Sequence, residues 1–373
     1  MAKGAEGFIT RLLEKSDIQI GGGRPWDIAI NDRRLFNRVL TRGSLGLGEA
    51  YMDGWWDAGA VDQFIHRVLI SGIREEIPFD LSLAASYLRG VLTNLQRWRA
   101  FEVAQRHYDI GNDLYRLMLD RRMIYSCGYW KDAGNLDEAQ EHKLDLICKK
   151  IGLEQGMRVL DIGSGWGGFL LFAAERYGIK GVGVTVSRQQ VVLAQDAARA
   201  RGLPIDFLLA DYHELDGRFD RVVSVGMFEH VGYKNYRGYF AKVRDLMADD
   251  GLFLLHTIGG TLTQPHGDPW SEKYIFPNGM LPSIKQIGAA IEGLFIMEDW
   301  HNFGADYEKT LLAWRDNFEA NWPKLKDRYN ERFHRMWRYY LLSFAAVFRA
   351  RLTHLWQIVL SKEGVPGGYR SIR

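Results

Sequence analysis

The feature that most limits the fold of this chain is an alternation of short apolar runs with longer amphipathic stretches, which begins near residue 150. Strand-length runs that alternate with helix-length stretches predict a largely parallel sheet with covering helices, because a parallel crossover needs a connection about as long as a helix. Seven runs fit: MRVLDIGSG, KGVGVTVS, IDFLLADY, FDRVVSVGMF, GLFLLHTIG, LFIMEDWHNFG and THLWQIVLSK.

The first of these runs ends in a glycine-rich turn. In VLDIGSGWGG, Asp161 precedes Gly163, Gly165, Gly167 and Gly168, which let the backbone turn sharply and approach a ligand closely. Such a turn leads into a helix N-terminus at the carboxyl edge of the sheet, where α/β folds bind nucleotide-like ligands. Dinucleotide dehydrogenases also use such turns, but Asp161 on the strand favours the pattern of S-adenosylmethionine (SAM)-dependent methyltransferases. A purely structural turn is the alternative.

Residues 1–95 have a different character. They carry short helical patterns, such as RRLFNRVLTRG and VDQFIHRVLISGI, separated by glycine turns in GSLGLGEAYMDGWWDAG. The 373 residues, 47% of them hydrophobic, are enough for two domains. We therefore predict a small, mainly helical N-terminal domain over 1–95 and a larger domain over 96–373.

The compartment is predicted from what the sequence lacks. No apolar run reaches the roughly 18 residues that span a bilayer, and MAKGAEGFITRLLEK has no apolar signal region. Cys127 and Cys148 form neither a CxxC pair nor a disulfide framework, which fits a reducing compartment. The neighbours Glu229 and His230 have no second histidine at helical spacing beside them. We expect a cytoplasmic protein without a metal site.

The net charge of +2 is unevenly distributed. From Lys324 to Arg373, eleven Lys or Arg stand against three Asp or Glu, beside aromatic residues such as Trp337 and Trp356. A basic, aromatic segment predicts binding to nucleic acid or to anionic lipid at a bilayer surface. A solvated helix face with its apolar residues turned inward is the alternative.

Seven motifs in one order give the chain a wider resemblance. They are YSCGYW, VLDIGSGWGG, GVTVSRQQ, SVGMFEHVG, LLHTIGG, DPWSEKYIFPNGMLPS and EDWHNFGADY. Over nearly its whole length the chain resembles the cyclopropane fatty acid synthase and mycolic acid cyclopropane synthase family. The resemblance implies a class I SAM-dependent methyltransferase fold with a seven-stranded mixed sheet, preceded by a lipid-contact domain. It also implies methyl transfer from SAM to a cis double bond of a phospholipid acyl chain, followed by closure of a cyclopropane ring.

The resemblance also assigns a bound bicarbonate ion as the base that removes a proton before ring closure. His256 and Tyr307 are then expected to donate hydrogen bonds to the bicarbonate oxygens, while Glu229 accepts from its hydroxyl group. Backbone N–H groups of Cys127 and Ile258 complete the set of donors. Taken singly, each residue has an ordinary alternative as a core side chain or a helix cap.

Cofactor positions follow from the same matching. The second strand ends in KGVGVTVSRQQ without an acidic residue, so neutral side chains must hold the ribose hydroxyls of SAM. The expected contacts to SAM are Tyr125, Ser126, Asp161, Gly163, Gly165, Thr185, Gln190 and Tyr212. Four aromatic residues are candidates to line a dry acyl cavity, or ordinary core residues: Tyr236, Tyr239, Phe276 and Phe303.

The resemblance further implies a homodimer that associates peripherally with the inner face of the membrane. Attraction to anionic headgroups, at up to roughly 1 kcal/mol per charge, is expected of Arg33, Arg34, Arg38 and Arg42. Two alternatives remain: a lipid C-methyltransferase that leaves the ring open, and a non-catalytic lipid-binding or nucleic-acid-binding protein. Nucleic acid is not expected as a partner, because EHVG and EDW stand where basic side chains would be needed.

Overall fold

A computed structural model describes residues 2–73, 111–264 and 266–373. Its helices are α1 (Ala2–Lys15), α2 (Arg34–Met52), α3 (Val61–Ile70), α4 (Asn112–Met118), α5 (Leu136–Lys150), α6 (Gly168–Tyr177), α7 (Arg188–Ala200), α8 (Tyr236–Leu246), α9 (Pro269–Tyr274), α10 (Ile284–Ile291), α11 (Ala305–Leu325) and α12 (Glu331–Arg349). Its strands are β1 (Ile28–Ile30), β2 (Trp56–Ala58), β3 (Arg158–Ile162), β4 (Lys180–Thr185), β5 (Ile205–Leu209), β6 (Phe219–Val225), β7 (Met247–Gly260), β8 (Ile296–Asn302) and β9 (Thr353–Ser361).

These elements divide between two compact units. One contains the described parts of Met1–Thr93 together with Pro265–Gly279 and Glu308–Thr353, and the other contains the rest of the described chain. The predicted boundary at residue 95 lies outside the described residues, so the split into 1–95 and 96–373 stays a prediction. Two later segments share the unit of the N-terminal helices, which a reading by sequence position alone does not anticipate.

The larger unit is built on a seven-stranded sheet in the order β5-β4-β3-β6-β7-β9-β8. Strands β3 to β7 pair in parallel, whereas β8 and β9 pair antiparallel. All seven predicted strands are present, and the predicted mixed sheet is confirmed. Val159, Leu160 and Ile162 of β3 are buried, as expected of a central parallel strand covered on both faces.

The carboxyl edge of the sheet is set by where neighbouring strands end. Val225, the last residue of β6, pairs with His256 of β7. Strand β7 continues to Gly260, so His256 lies inside the strand and not at its end. The polar turn after β6 therefore begins level with His256.

The smaller unit has an aromatic core around Trp56. Its ring lies 5.0 Å from Tyr51, 4.9 Å from Phe64 and 6.4 Å from Tyr339 of α12, measured between ring centroids. Arg335 of α12 donates to the backbone oxygens of Tyr51 and Trp56. The antiparallel pair β1–β2 is thus held against α12. The sequence analysis had interpreted this aromatic segment as a binding surface.

Arginines of the basic segment make ion pairs within their own units. Arg332 pairs with Asp53, Arg335 with Asp57, Arg349 with Asp62 and Glu308, and Arg373 with Asp299. The four N-terminal arginines are paired as well: Arg33 with Glu6, Arg34 with Asp32, Arg38 with Asp53 and Arg42 with Glu49. Much of this positive charge is balanced internally. None of the described helices has the length and apolar character required to cross a membrane.

Candidate active site

The glycine-rich loop joins β3 to α6 through left-handed backbone. Gly163, Gly165 and Gly167 have φ values of +87°, +53° and +84°, which favour glycine. A Cβ atom on Gly163 would lie 2.6 Å from Cβ of Met227, and one on Gly167 would lie 2.4 Å from Cζ of Phe207. The loop therefore has two separate reasons to be glycine: its conformation and its close neighbours.

Asp161 lies on β3 directly before this loop. It is 2% exposed, and its Oδ1 has no hydrogen-bond partner among the described residues. Burial raises the pKa of Asp161 to about 7, while the charge of Lys143 opposes that shift. A buried carboxyl oxygen without a partner is the group that a ligand with an ammonium donor, such as SAM, would satisfy.

The ends of β4 and β5 present the other predicted cofactor residues. Thr185 Oγ1 donates to Gln190 Oε1 at 2.7 Å, which places these two neutral side chains together. Tyr212 stacks on His213 with 4.0 Å between ring centroids, and Nδ1 of His213 lies 2.6 Å from Asp211 Oδ1. Asp211 was missed by the sequence analysis, although an acidic residue two positions after a strand of the sheet is a visible signal.

Tyr125, Ser126 and Cys127 lie in a loop packed on α5. Gln140 Nε2 donates to the carbonyl oxygen of Ser126 at 2.8 Å, and Lys143 Nζ donates to its Oγ at 2.7 Å. Cys127 is fully buried, and its Sγ donates to the carbonyl oxygen of Gly128 at 3.2 Å. The helix thus holds the loop by polar contacts from two side chains that the sequence analysis did not single out.

Glu229 lies in the turn that follows β6. Its Oε1 accepts a hydrogen bond from the backbone N–H of Ile258 at 2.7 Å, and its Oε2 has no partner among the described residues. Burial raises the pKa of Glu229 to about 7, with the N–H of Ile258 acting in the opposite direction. In this structure the N–H of Ile258 is bonded to Glu229. The donation from this N–H to bicarbonate stays a prediction.

His256 is fully buried on β7. Gln357 Nε2 lies 3.3 Å from its Nδ1, and its Nε2 has no partner among the described residues. With the amide of Gln357 oriented so that its nitrogen faces the ring, Nδ1 accepts this hydrogen bond and the ring hydrogen is on Nε2. Burial, together with the charges of Lys143 and Lys150, holds the pKa of His256 well below its ordinary value. The side chain is therefore a neutral imidazole with a free N–H donor.

Tyr307 lies in the first turn of α11 and is 8% exposed. Trp130 in the loop after Cys127 donates its backbone N–H to Asp306 Oδ2 at 2.8 Å, which ties that loop to the turn carrying Tyr307. Phe303 lies 6.0 Å from His256 between ring centroids. Segments far apart in sequence are thus held together at one edge of the sheet.

The remaining aromatic candidates have other surroundings. Tyr239 is fully buried in the core cluster below the sheet, with its ring 5.3 Å from Phe228. Tyr236 stacks on Phe228 at 4.3 Å. Phe276 belongs to the smaller unit, where it lies 5.8 Å from Tyr340. These environments favour core packing for the three residues and leave Phe303 as the candidate beside His256.

A seven-stranded sheet with antiparallel β8 and β9, a glycine loop after β3 and polar groups at its carboxyl edge define a class I SAM-dependent methyltransferase. The sequence model of the mycolic acid cyclopropane synthetase family matches residues 95–358, and the chain belongs to that family.

Named relatives agree with this membership. The chain is 52% identical to the cyclopropane-fatty-acyl-phospholipid synthase of Escherichia coli K12, over 97% of this chain and 94% of that protein. It is 33% identical to the tuberculostearic acid methyltransferase UfaA1 of Mycobacterium tuberculosis, over 89% of this chain and 82% of that protein. The crystal structure of the mycolic acid cyclopropane synthase CmaA1 complexed with SAH and CTAB superposes with a TM-score of 0.66 at 33% identity, covering 70% of this chain and 98% of CmaA1.

Proposed function

We propose that this enzyme is a cyclopropane-fatty-acyl-phospholipid synthase that uses SAM as its cosubstrate. The methyl carbon leaves the sulfonium sulfur and bonds to one carbon of a cis double bond in a phospholipid acyl chain. A proton then leaves the new methyl group, and its carbon closes the ring onto the second alkene carbon. Support comes from the 52% identity with the E. coli synthase over 97% of the chain.

The observation that carries the proposal at the level of atoms is a complementary pair of buried groups. His256 Nε2 is a hydrogen-bond donor without a partner, and Glu229 Oε2 is an acceptor without one, among the described residues. Both residues lie where β6 ends beside β7. A small anion with an oxygen and a hydroxyl group, such as hydrogencarbonate, satisfies both atoms at once. When bound, hydrogencarbonate would supply the base for proton removal.

The residues around this pair have distinct roles in the proposal. Neutral His256 donates through Nε2, and ionised Glu229 accepts a hydroxyl hydrogen and orients it. Tyr307 and the backbone of Cys127 are proposed as the further donors, supported by the contact of Trp130 with Asp306. Phe303 excludes water beside His256, since water would convert a cationic acyl chain to an alcohol.

Cofactor binding is assigned to the carboxyl edge of β3, β4 and β5. Gly163 and Gly165 give room for the backbone to approach SAM, while Thr185 and Gln190 bind its ribose and Tyr212 its adenine. We further propose that the enzyme works as a homodimer at the surface of the membrane that contains its lipid substrate.

The test is a product analysis by mass spectrometry. The purified enzyme is incubated with methyl-labelled SAM and vesicles of a cis-monounsaturated phospholipid, and the acyl chains are fragmented. We expect a CH₂ gain located as a ring, lost in His256→Ala and Glu229→Gln and kept in the controls His142→Ala, at a half-buried position, and Glu292→Gln, at an exposed one. A methyl-branched or exomethylene product would instead make the enzyme a lipid C-methyltransferase. If no label entered the lipid, the proposal that phospholipid is the substrate would be refuted.

A further inference from the structure

Lys143 is a fully buried lysine on α5 for which the proposed chemistry has no role. Its Nζ donates to Ser126 Oγ at 2.7 Å. Among the described residues no carboxylate lies within ion-pair distance of this nitrogen, so the hydroxyl of Ser126 is its near partner. An ammonium group is costly to bury, which makes a specific role for it a reasonable expectation.

The titratable groups that face Lys143 come from three elements. They are Asp120 after α4, Asp161 on β3 and Cys127 in the loop, and they oppose the effect of burial, which lowers the pKa of Lys143 to about 8. The cation therefore lies between the glycine-loop strand and the loop that carries Ser126. Both segments carry residues that the family resemblance expects to contact SAM, namely Asp161 and Ser126.

The direction of the hydrogen bond determines what Ser126 can do. An ammonium group only donates, so Ser126 Oγ accepts from Lys143 and its own hydrogen must point to another acceptor. The carbonyl oxygen of Ser126 is fixed at the same time by Gln140 Nε2 at 2.8 Å. Helix α5 thus sets Ser126 as a hydroxyl donor in a fixed position, strengthened by the charge behind it.

We propose that Lys143 is a positioning residue that holds the Ser126 hydroxyl as the donor to the carboxylate of SAM. This inference rests on the proposed function, in which SAM is the cosubstrate, and on the family resemblance, from which Ser126 is expected to contact SAM. A hydroxyl polarised by an ammonium group is matched to an anionic acceptor, and the carboxylate is the anionic group of SAM. Unpartnered Asp161 Oδ1 is available for the ammonium group of the same amino-acid moiety.

The first test is a double-mutant cycle on binding of S-adenosylhomocysteine (SAH), measured by calorimetry. Lys143→Met and Ser126→Ala are each expected to raise Kd about tenfold, the loss of one charge-assisted hydrogen bond. If Lys143 acts through Ser126, the double variant is weakened about tenfold and not a hundredfold. Losses that multiply, or an unchanged Kd in Lys143→Met, would overturn the inference.

Lys150→Met is the matched control. Lys150 lies on the same helix and is equally buried, but its partners are His301 and Asp299. We expect its SAH Kd to equal that of the wild type. A weakening equal to that of Lys143→Met would show a general effect of burying methionine in α5 and would refute the assignment.

A second test leaves Lys143 in place, in case its variant does not fold. Between pH 7.5 and 9.5 the ammonium group of Lys143 loses its proton, so SAH affinity of the wild type should fall several-fold more than that of Ser126→Ala. The ammonium group of SAH titrates in both proteins and cancels in the comparison. Equal pH profiles would contradict the inference. These binding measurements contain no lipid. If they gave the expected pattern while the product analysis found no cyclopropane, the proposed function would be refuted and the inference about Lys143 would stand.

Discussion

At the residue scale, the tautomer of His256 decides what this side chain can contribute. Gln357 Nε2 faces Nδ1, so the free ring atom is a donor. Without that amide the neutral ring can place its hydrogen on either nitrogen, and part of the population would present a lone pair to the anion. Gln357 is a polar residue in the apolar strand THLWQIVLS, as His256 is in the apolar run GLFLLHTIG, so this feature of the sequence could have drawn attention to Gln357.

We therefore predict that Gln357→Leu lowers kcat for ring formation by about 10- to 100-fold, because a misplaced catalytic group can cost about 100-fold in rate. The Kd for SAH should stay unchanged, since the substitution does not touch the glycine loop. Stopped assays of cyclopropane product and calorimetry with SAH measure the two quantities. Exposed Gln155→Leu serves as the control, and a parallel loss of SAH binding would contradict a role through His256.

Glu229 gives a prediction about stability and pH. Burial raises its pKa from 4.5 to about 7, so the folded state binds a proton there that the unfolded state releases between these values. Its contribution to stability is present below pH 4.5 and is lost as pH rises through 7.

Glu229→Gln keeps the shape of the side chain but cannot ionise. We expect this variant to gain stability relative to the wild type between pH 5 and pH 8, by up to about 3 kcal/mol. Thermal melts of both proteins at the two pH values measure the change. An equal difference in melting temperature at pH 5 and pH 8 would show that Glu229 is ionised throughout.

At the element scale, the seven strands were predictable because each is an apolar run closed by turn residues. The glycine loop alone does not distinguish SAM-dependent methyltransferases from dinucleotide dehydrogenases, because GSGWGG also satisfies the spacing of dinucleotide-binding loops. Asp161 on the strand before the loop favoured the methyltransferases, and the order of seven motifs from YSCGYW to EDWHNFGADY gave the family resemblance. Lys143 was not predictable, because LDEAQEHKLDLICKK reads as an amphipathic surface helix and its burial depends on a loop 17 residues away.

The loop itself supports a prediction with a matched control. Gly163→Ala combines left-handed backbone with a contact of 2.6 Å to Cβ of Met227, whereas Gly152 has φ +57° and open space around it. We expect Gly152→Ala to cost about 1 kcal/mol of stability, and Gly163→Ala to cost more and to weaken SAH binding at least tenfold. Denaturant melts and calorimetry compare them, and equal SAH affinity in both variants would refute the assigned role of the loop.

At the scale of the whole molecule, counting the charges along one segment of the sequence overestimated the positive charge that is available to bind a membrane. The +8 excess over 324–373 includes arginines that pair with carboxylates, and their charge is not free for headgroups. The sequence could not show this, because the partners Asp53, Asp57 and Asp62 lie more than 250 residues earlier. Exposure, and not local net charge, selects the residues to test.

Of the four arginines Arg33, Arg34, Arg38 and Arg42, the first two have the most exposed side chains, at 78% and 72%. Their own carboxylate pairs are solvent-exposed and therefore weak, so anionic headgroups can compete for them. At roughly 1 kcal/mol per charge, replacing both by glutamine should weaken binding to anionic vesicles about 10- to 30-fold while leaving SAH binding intact.

Flotation with vesicles of increasing anionic lipid content measures this loss, and added salt should shrink it because the attraction is screened. Arg199 is equally exposed, at 78%, but lies on α7 of the methyltransferase unit. If Arg199→Gln weakened flotation as much as an N-terminal substitution does, membrane contact would depend on total charge and not on the helical unit. A loss confined to the N-terminal pair would locate the membrane contact in the helical unit.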